Sequence, residues 1–216
     1  MSSFTSLQAS KTTATQVTTT APTKMNFADL AKSKLAYAPE QPVAHQLRGF
    51  KVSQSPSPIV FISDTVETAV VHYTDYDEFR GYAKCNGENC SLCRIGNKAT
   101  KRHLMPVYNP LSRAVEVLSM GDNQSPTALL PQLLNLVDFE QEQLFMVSRE
   151  NYQFTVNVQP LPATLPLDQQ AIQTCTKQLD ENEIALSDIY RSYSNEELAD
   201  FPCIRTMLSL LSPEQA

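Results

Sequence analysis

The chain has 216 residues, 42% of them apolar, and a net charge of −6, enough for one domain of ordinary size with appendages or for two small ones. No run approaches the roughly eighteen apolar residues a membrane span needs, and the opening "MSSFTSLQASKTTATQVTTTAPTK" lacks the apolar stretch of a secretory signal. The expectation is a cytoplasmic protein with reduced thiols, and the odd count of 5 cysteines argues against a disulfide framework.

Residues 1–24 are rich in Thr, Ser and Ala. They bury too little apolar surface to offset the cost of ordering, so a disordered N-terminal arm is expected. "NFADLAKSKLAYA" (26–38) places Phe27, Leu30, Ala31 and Leu35 near helical spacing behind a capping Asn26, which predicts a short amphipathic helix ending before Pro39.

Short β-like segments follow at 47–53, 58–63 and 68–74, separated by Ser, Pro and Asp turn residues. Beyond a cysteine-bearing loop come strands at 101–109 and 114–120, joined by the turn-like "NPLSR". Residues 127–139 read as a helix in which Pro131 demands an early position or a kink. Residues 143–161 read as a hairpin turning at Glu150-Asn151, with Phe154, Val156 and Val158 on one face. Five to seven short strands with one intervening helix predict a mainly β core over 25–165, a small Greek-key barrel or sandwich.

Residues 166–216 read as an acidic helical C-terminal region, in which Cys175 and Cys203 are expected as small core residues. Up to Leu167 the chain carries 14 basic and 14 acidic residues, whereas residues 168–216 carry 3 and 9. The whole acidic excess therefore sits at the C-terminal end. The stretch Arg80–Arg113 carries seven cations and follows five acids between Asp64 and Glu78. The cations surround the cysteine cluster, so the net charge does not exclude a polyanionic partner.

"CNGENCSLC" (85–93) holds three of the five cysteines. A Cys-x2-Cys pair on a tight turn can present two sulfurs to one tetrahedral ion, and Gly96 suits the bent backbone of such a turn. The nearest further ligands give His72-x12-Cys85-x4-Cys90-x2-Cys93, with His103 as the alternative to His72. Three thiolates and one imidazole make a closed structural Zn²⁺ site with no open position for catalysis. A redox pair would leave Cys85 unexplained and has no βαβ context. A zinc deaminase needs His-x-Glu, but Tyr73 and Thr74 follow His72. No nucleophile-and-base pairing presents itself, so an enzyme is not expected.

The spacing from His72 to Cys93, inside a β-rich core with an acidic C-terminal region, resembles the single-stranded-DNA-binding (helix-destabilising) proteins of T-even phages over roughly residues 45–160. The gap between Cys85 and Cys90 is shorter than in that family, and Lys11 and Lys24 stand where its arm carries a basic motif. The resemblance implies an OB-fold braced by zinc on His72, Cys85, Cys90 and Cys93. It also implies a role in replication, recombination or repair within a bacterial or phage-infected cell, and protein partners at the acidic region.

Single-strand binders need cations along the phosphates and flat side chains on which bases stack. Tyr73, Tyr76, Phe79, Tyr82 and Tyr108 interleave here with Arg80, Lys84, Arg94, Lys98, Lys101 and Arg102. The reading is a binder of single-stranded DNA, or of RNA, with little sequence preference. A reading from another class is a zinc-stapled protein–protein adaptor that works through its C-terminal helices.

Overall fold

A computed structural model describes residues 47–76 and 79–211. The expected arm (1–24), the expected helix (26–38) and the last five residues of the C-terminal region lie outside the described residues. Eight strands form one mixed sheet: β1 (Arg48–Gly49), β2 (Ser57–Phe61), β3 (Glu67–Asp75), β4 (Arg80–Lys84), β5 (Thr100–Asn109), β6 (Ala114–Gly121), β7 (Gln143–Glu150) and β8 (Gln153–Pro160). Among the described residues are five short α-helices, α1 (Ser91–Arg94) and α2 (Leu129–Leu134) between strands, and α3 (Gln169–Asp180), α4 (Asn195–Asp200) and α5 (Pro202–Ser209) after the last one. The fold is mainly β, as the alternation of apolar residues predicts.

The strands run β1-β6-β5-β2-β7-β8, with the β3–β4 hairpin branching off β5. β5 pairs with β6 along one edge, from Arg102 opposite Gly121 to Asn109 opposite Ala114. Its other edge is shared: β3 pairs with its first half (Glu67 opposite Leu104) and β2 with its second (Phe61 opposite Val107). β2 and β3 thus lie end to end along one strand, and Ile62–Val66 absorb the break in register. β7 and β8 form the expected hairpin, and Asn151 at its turn takes a left-handed φ of 55°, a conformation Asn tolerates.

β5 is buried on both faces from Leu104 to Tyr108, as a central strand must be. Met105 and Val107 enter a cluster with Ile59, Leu118, Phe145, Val147 and the α2 residues Leu129 and Leu133. Leu104 points the other way, to Ala69, Val71, Val117, Leu186 and Tyr190. Helix α2 is shorter than expected and holds Pro131 at its third position, where the missing N–H has no intrahelical partner to lose.

β4 is the strand that sequence reading missed. "RGYAK" has one buried residue, and Gly81 has φ 126°, so its extended state rests on pairing with β3 from Val71–Lys84 to Asp75–Arg80. The described residues fall within one compact unit, to which the C-terminal region contributes. Leu186 and Tyr190 complete the second cluster, and Leu198 and Ile204 are fully buried against Phe79, Ala83, Cys90 and Leu92.

Candidate metal centre and surrounding surface

β3 and β4 split the chemistry between two sheet faces. Alternation puts His72 and its cross-strand partner Ala83 on one face, and Ala83 belongs to the cluster that holds Cys90 and Leu92. Tyr73, opposite Tyr82, lies on the other face.

Cys85 follows β4 directly, and its N–H donates to Val70 O at 2.9 Å, which holds the strand end against β3. The backbone then makes a 3₁₀ turn at Gly87–Asn89 and enters α1 with Cys90 at its N-cap. Cys93 sits one turn on, and Gly96, at φ 81°, donates to Cys93 O at 3.0 Å as the chain turns away.

These elements bring His72, Cys85, Cys90 and Cys93 together, with all four ligand atoms within 4.8 Å of one another. His72 Nε2 lies 3.4 Å from both Cys90 Sγ and Cys93 Sγ, and Cys85 Sγ is 3.7 Å from Cys93 Sγ. The group is close enough to hold a metal ion. His103 is not part of it. Its Nδ1 lies 3.2 Å from Thr68 Oγ1 and its Nε2 lies 3.6 Å from Asp122.

The thiols do not ionise equally. Burial pushes the Cys90 thiol up, but the N–H groups of Asn86, Cys93 and Leu92 and the Cys85 thiol outweigh it and leave Cys90 below its ordinary value. Cys93 is pushed up to about 12 by desolvation and by the neighbouring Cys85 and Cys90. One thiolate thus forms at the expense of the next, a conflict that a divalent cation removes.

Three asparagines support the ligands, and no spacing rule marked them. Asn97 Oδ1 accepts from His72 Nδ1 at 3.2 Å, and its Nδ2 donates to Tyr73 O at 3.0 Å. That bond keeps the proton on Nδ1 and leaves Nε2 facing the sulfurs. Asn195, from α4, accepts from Ser91 N at 3.0 Å and donates to Asn89 O at 2.9 Å. Asn86 Nδ2 donates to Tyr193 O at 2.9 Å. The cysteine loop is therefore bound to a segment about a hundred residues away.

The expected contact residues divide. Tyr73 is 51% exposed and meets Tyr82 edge-on at 5.1 Å. Arg102 lies over the Tyr82 ring at 5.2 Å and donates to Ser119 Oγ and O, both at 2.9 Å. Arg80, Tyr82 and Lys84 alternate onto this same face of β4. Arg80 pairs with Asp75, and Lys84 Nζ lies 2.9 Å from Asp188. Arg94, Lys98 and Lys101 are exposed on α1, the loop after it and the start of β5.

Phe79 and Tyr108 require correction. Phe79 is 2% exposed and Tyr108 is fully buried, so neither offers a ring at the surface. Phe79 stacks on Phe201 at 5.0 Å and meets Tyr193 at 5.1 Å. Tyr108 packs with Val60 and Leu144, and its hydroxyl accepts from Asp168 N at 3.1 Å. Tyr76 packs partly against the metal lobe.

Comparison with family models, with curated proteins and with solved structures gave no match.

Proposed function

We propose that the protein binds single-stranded DNA with little sequence preference, on an OB-type core braced by one structural Zn²⁺. The observation that carries the reading is the face shared by Tyr73, Arg80, Tyr82, Lys84 and Arg102. It sets the exposed Tyr73 ring and the half-buried Tyr82 ring beside cations on paired strands, two of them held by Asp75 and Asp188, and rings beside cations are what stacking of bases along a phosphate track requires.

Two further features support it. Leaving aside β1 and the β3–β4 hairpin, the strand order β6-β5-β2-β7-β8, with α2 between β6 and β7, is a five-stranded 3-2-1-4-5 arrangement with a helix after the third strand. This arrangement suits an OB core carrying a metal-bearing insertion. The donor set suits zinc, since a tetrahedral ion with bonds of about 2.3 Å to sulfur and 2.0–2.1 Å to nitrogen sets S–S near ~3.8 Å and S–N near ~3.5 Å. Cys85–Cys93 at 3.7 Å and His72 to Cys90 and Cys93 at 3.4 Å fit those values, and all four atoms lie within 4.8 Å of one another. With all four positions filled by protein, such an ion is structural and carries a local charge near −1. Its part is to hold His72 to the thiol loop, which leaves Arg94, Lys98 and Lys101 at the rim. The adaptor reading finds less support, because Leu198 and Ile204 turn the apolar stripe of α4 and α5 inward.

Titration of fluorescein-labelled oligo(dT) by anisotropy between about 50 and 200 mM salt tests the reading. With about five phosphates neutralised, log K against log salt should slope near about −3 to −4. A slope flatter than about −1, or no binding, overturns it.

A further inference from the structure

Residues that the sequence scatters converge on a cleft of about 850 Å³. One wall is β1 with Phe50 and Lys51, and the second is the β5–β6 turn around Asn109 and Leu111. The third is the C-terminal stretch Asp188–Ser192, whose Arg191 O accepts from Lys84 N at 2.9 Å along the edge of β4. Four cations line it: Arg48, Lys51, Lys84 and Arg191.

The charge of this cleft is unbalanced. Its two acids are Glu116 and Asp188. Glu116 accepts from Asn109 Nδ2 at 3.0 Å and from Ser112 Oγ at 2.9 Å, and Asp188 is held by Lys84 at 2.9 Å. Arg48 and Lys51 are exposed and make no hydrogen bond or ion pair among the described residues. Arg191 donates only to Tyr193 Oη at 3.2 Å. Four cations against two carboxylates leave the concavity with a positive excess, in which Glu116 lies opposite Arg48 in the β1–β6 register but forms no ion pair with Arg48, Lys51 or Arg191. Like charges gathered in this way repel unless a polyanion lies between them.

The cleft also continues the aromatic face. Tyr82 meets Tyr190 at 5.7 Å, and both Tyr190 and Lys84 line the cleft. A strand stacked on Tyr73 and Tyr82 would therefore run past Lys84 into the space between Arg48 and Arg191.

We infer that the cleft between β1 and Asp188–Ser192 seats the phosphodiester backbone of a single strand, with Arg48, Lys51 and Arg191 as its phosphate contacts. The inference rests on the single-strand-binding reading and adds a path to it. The track leaves the metal loop and passes beneath the C-terminal stretch, which is one wall of the site and not a tail beside it.

The test compares oligo(dT) binding by the full zinc-loaded chain with that of a triple variant, Arg48→Gln, Lys51→Gln and Arg191→Gln, whose side chains are exposed. Each lost phosphate contact should flatten the salt slope by about 0.7, so the triple variant should lose about 2, with zinc content and Tm unchanged. A charge-keeping variant, Arg48→Lys with Lys51→Arg, should retain the wild-type slope. Wild-type binding with an unchanged slope in the triple variant overturns the cleft alone. So does a flattened slope in the charge-keeping variant. No wild-type binding overturns the single-strand reading and the cleft with it.

Discussion

The β core beneath α2 and the lobe around Cys85–Cys93 are built by different physics. The core closes over eleven buried residues, nearly all large, including Ile59, Leu118, Phe145 and Val147. Burial of that kind is worth about 1.5–3 kcal/mol per large side chain, before the cost of ordering. The lobe's own residues contribute little of that sort. Its buried cluster has six members, of which one is Cys90, one is Ala83, and two (Leu198 and Ile204) come from the far end of the chain. What remains must come from the ligand set and from the Asn86, Asn97 and Asn195 bonds. A short loop acquires a fixed shape here by chemistry and by borrowed apolar surface.

The sharpest way to break this comparison is to withdraw the zinc proposed for the His72, Cys85, Cys90 and Cys93 cluster. Structural zinc contributes about 10–16 kcal/mol in small metal-folded units, more than the lobe's apolar cluster can replace. Chelation, or Cys90→Ser, should abolish amide-exchange protection in 79–95 and 193–208 while 143–158 stays protected. Equal loss in both regions would mean that the core also depends on the ion. The converse test is Phe145→Ala in the core, expected to cost about 3–5 kcal/mol with metal stoichiometry unchanged. Asn97→Ala removes the bond that orients His72 and should weaken metal affinity about 10–100-fold at nearly unchanged global stability. If affinity is unaltered, the His72 orientation does not rest on Asn97.

Two smaller effects separate the proposed binding surface from the scaffold. Tyr73→Ala should cost about 1–3 kcal/mol of oligo(dT) affinity and little stability, whereas Phe79→Ala should destabilise the lobe. The same outcome for both would erase the division between surface and core aromatics. Asp188→Asn should tighten oligo(dT) by a few-fold, since it frees Lys84 and removes an acid from the cleft. Deletion of 168–216 cannot stand in for Asp188→Asn, because it strips Leu186, Tyr190, Leu198 and Ile204 from two clusters. The bond from Lys84 holds the Asp188 carboxyl below its ordinary range, against a partial desolvation. A lowered folded-state value means that the contact stabilises above the ordinary carboxylate range and is lost as pH falls through the lowered value. The gain from Asp188→Asn should accordingly fade in acid, as anisotropy at matched ionic strength would show.

What could be read in the sequence was local. Strands β2, β3 and β5 to β8 announce themselves as short β-like runs between turn residues, and the candidate metal ligands by spacing, because three of them fall within nine residues and the fourth lies in the preceding β-like run. β4 was hidden because its order comes from β3 and not from its own residues. Phe79 and Tyr73 look alike as letters. Only the arrival of Tyr193 and Phe201 buries one ring and leaves the other at the surface. The destination of the C-terminal helices and the joining of Arg48, Lys51 and Arg191 depend on contacts across more than a hundred residues, for which periodicity offers no signal.

The most direct measurement is a pair of oligo(dT) titrations on one preparation, before and after chelation, with zinc counted by elemental analysis. The expected result is one zinc per chain, binding with a salt slope near about −3 to −4, and loss of that binding when the metal is withdrawn. A metal-free preparation that binds equally well, or a zinc-loaded one that does not bind at all, would contradict the account.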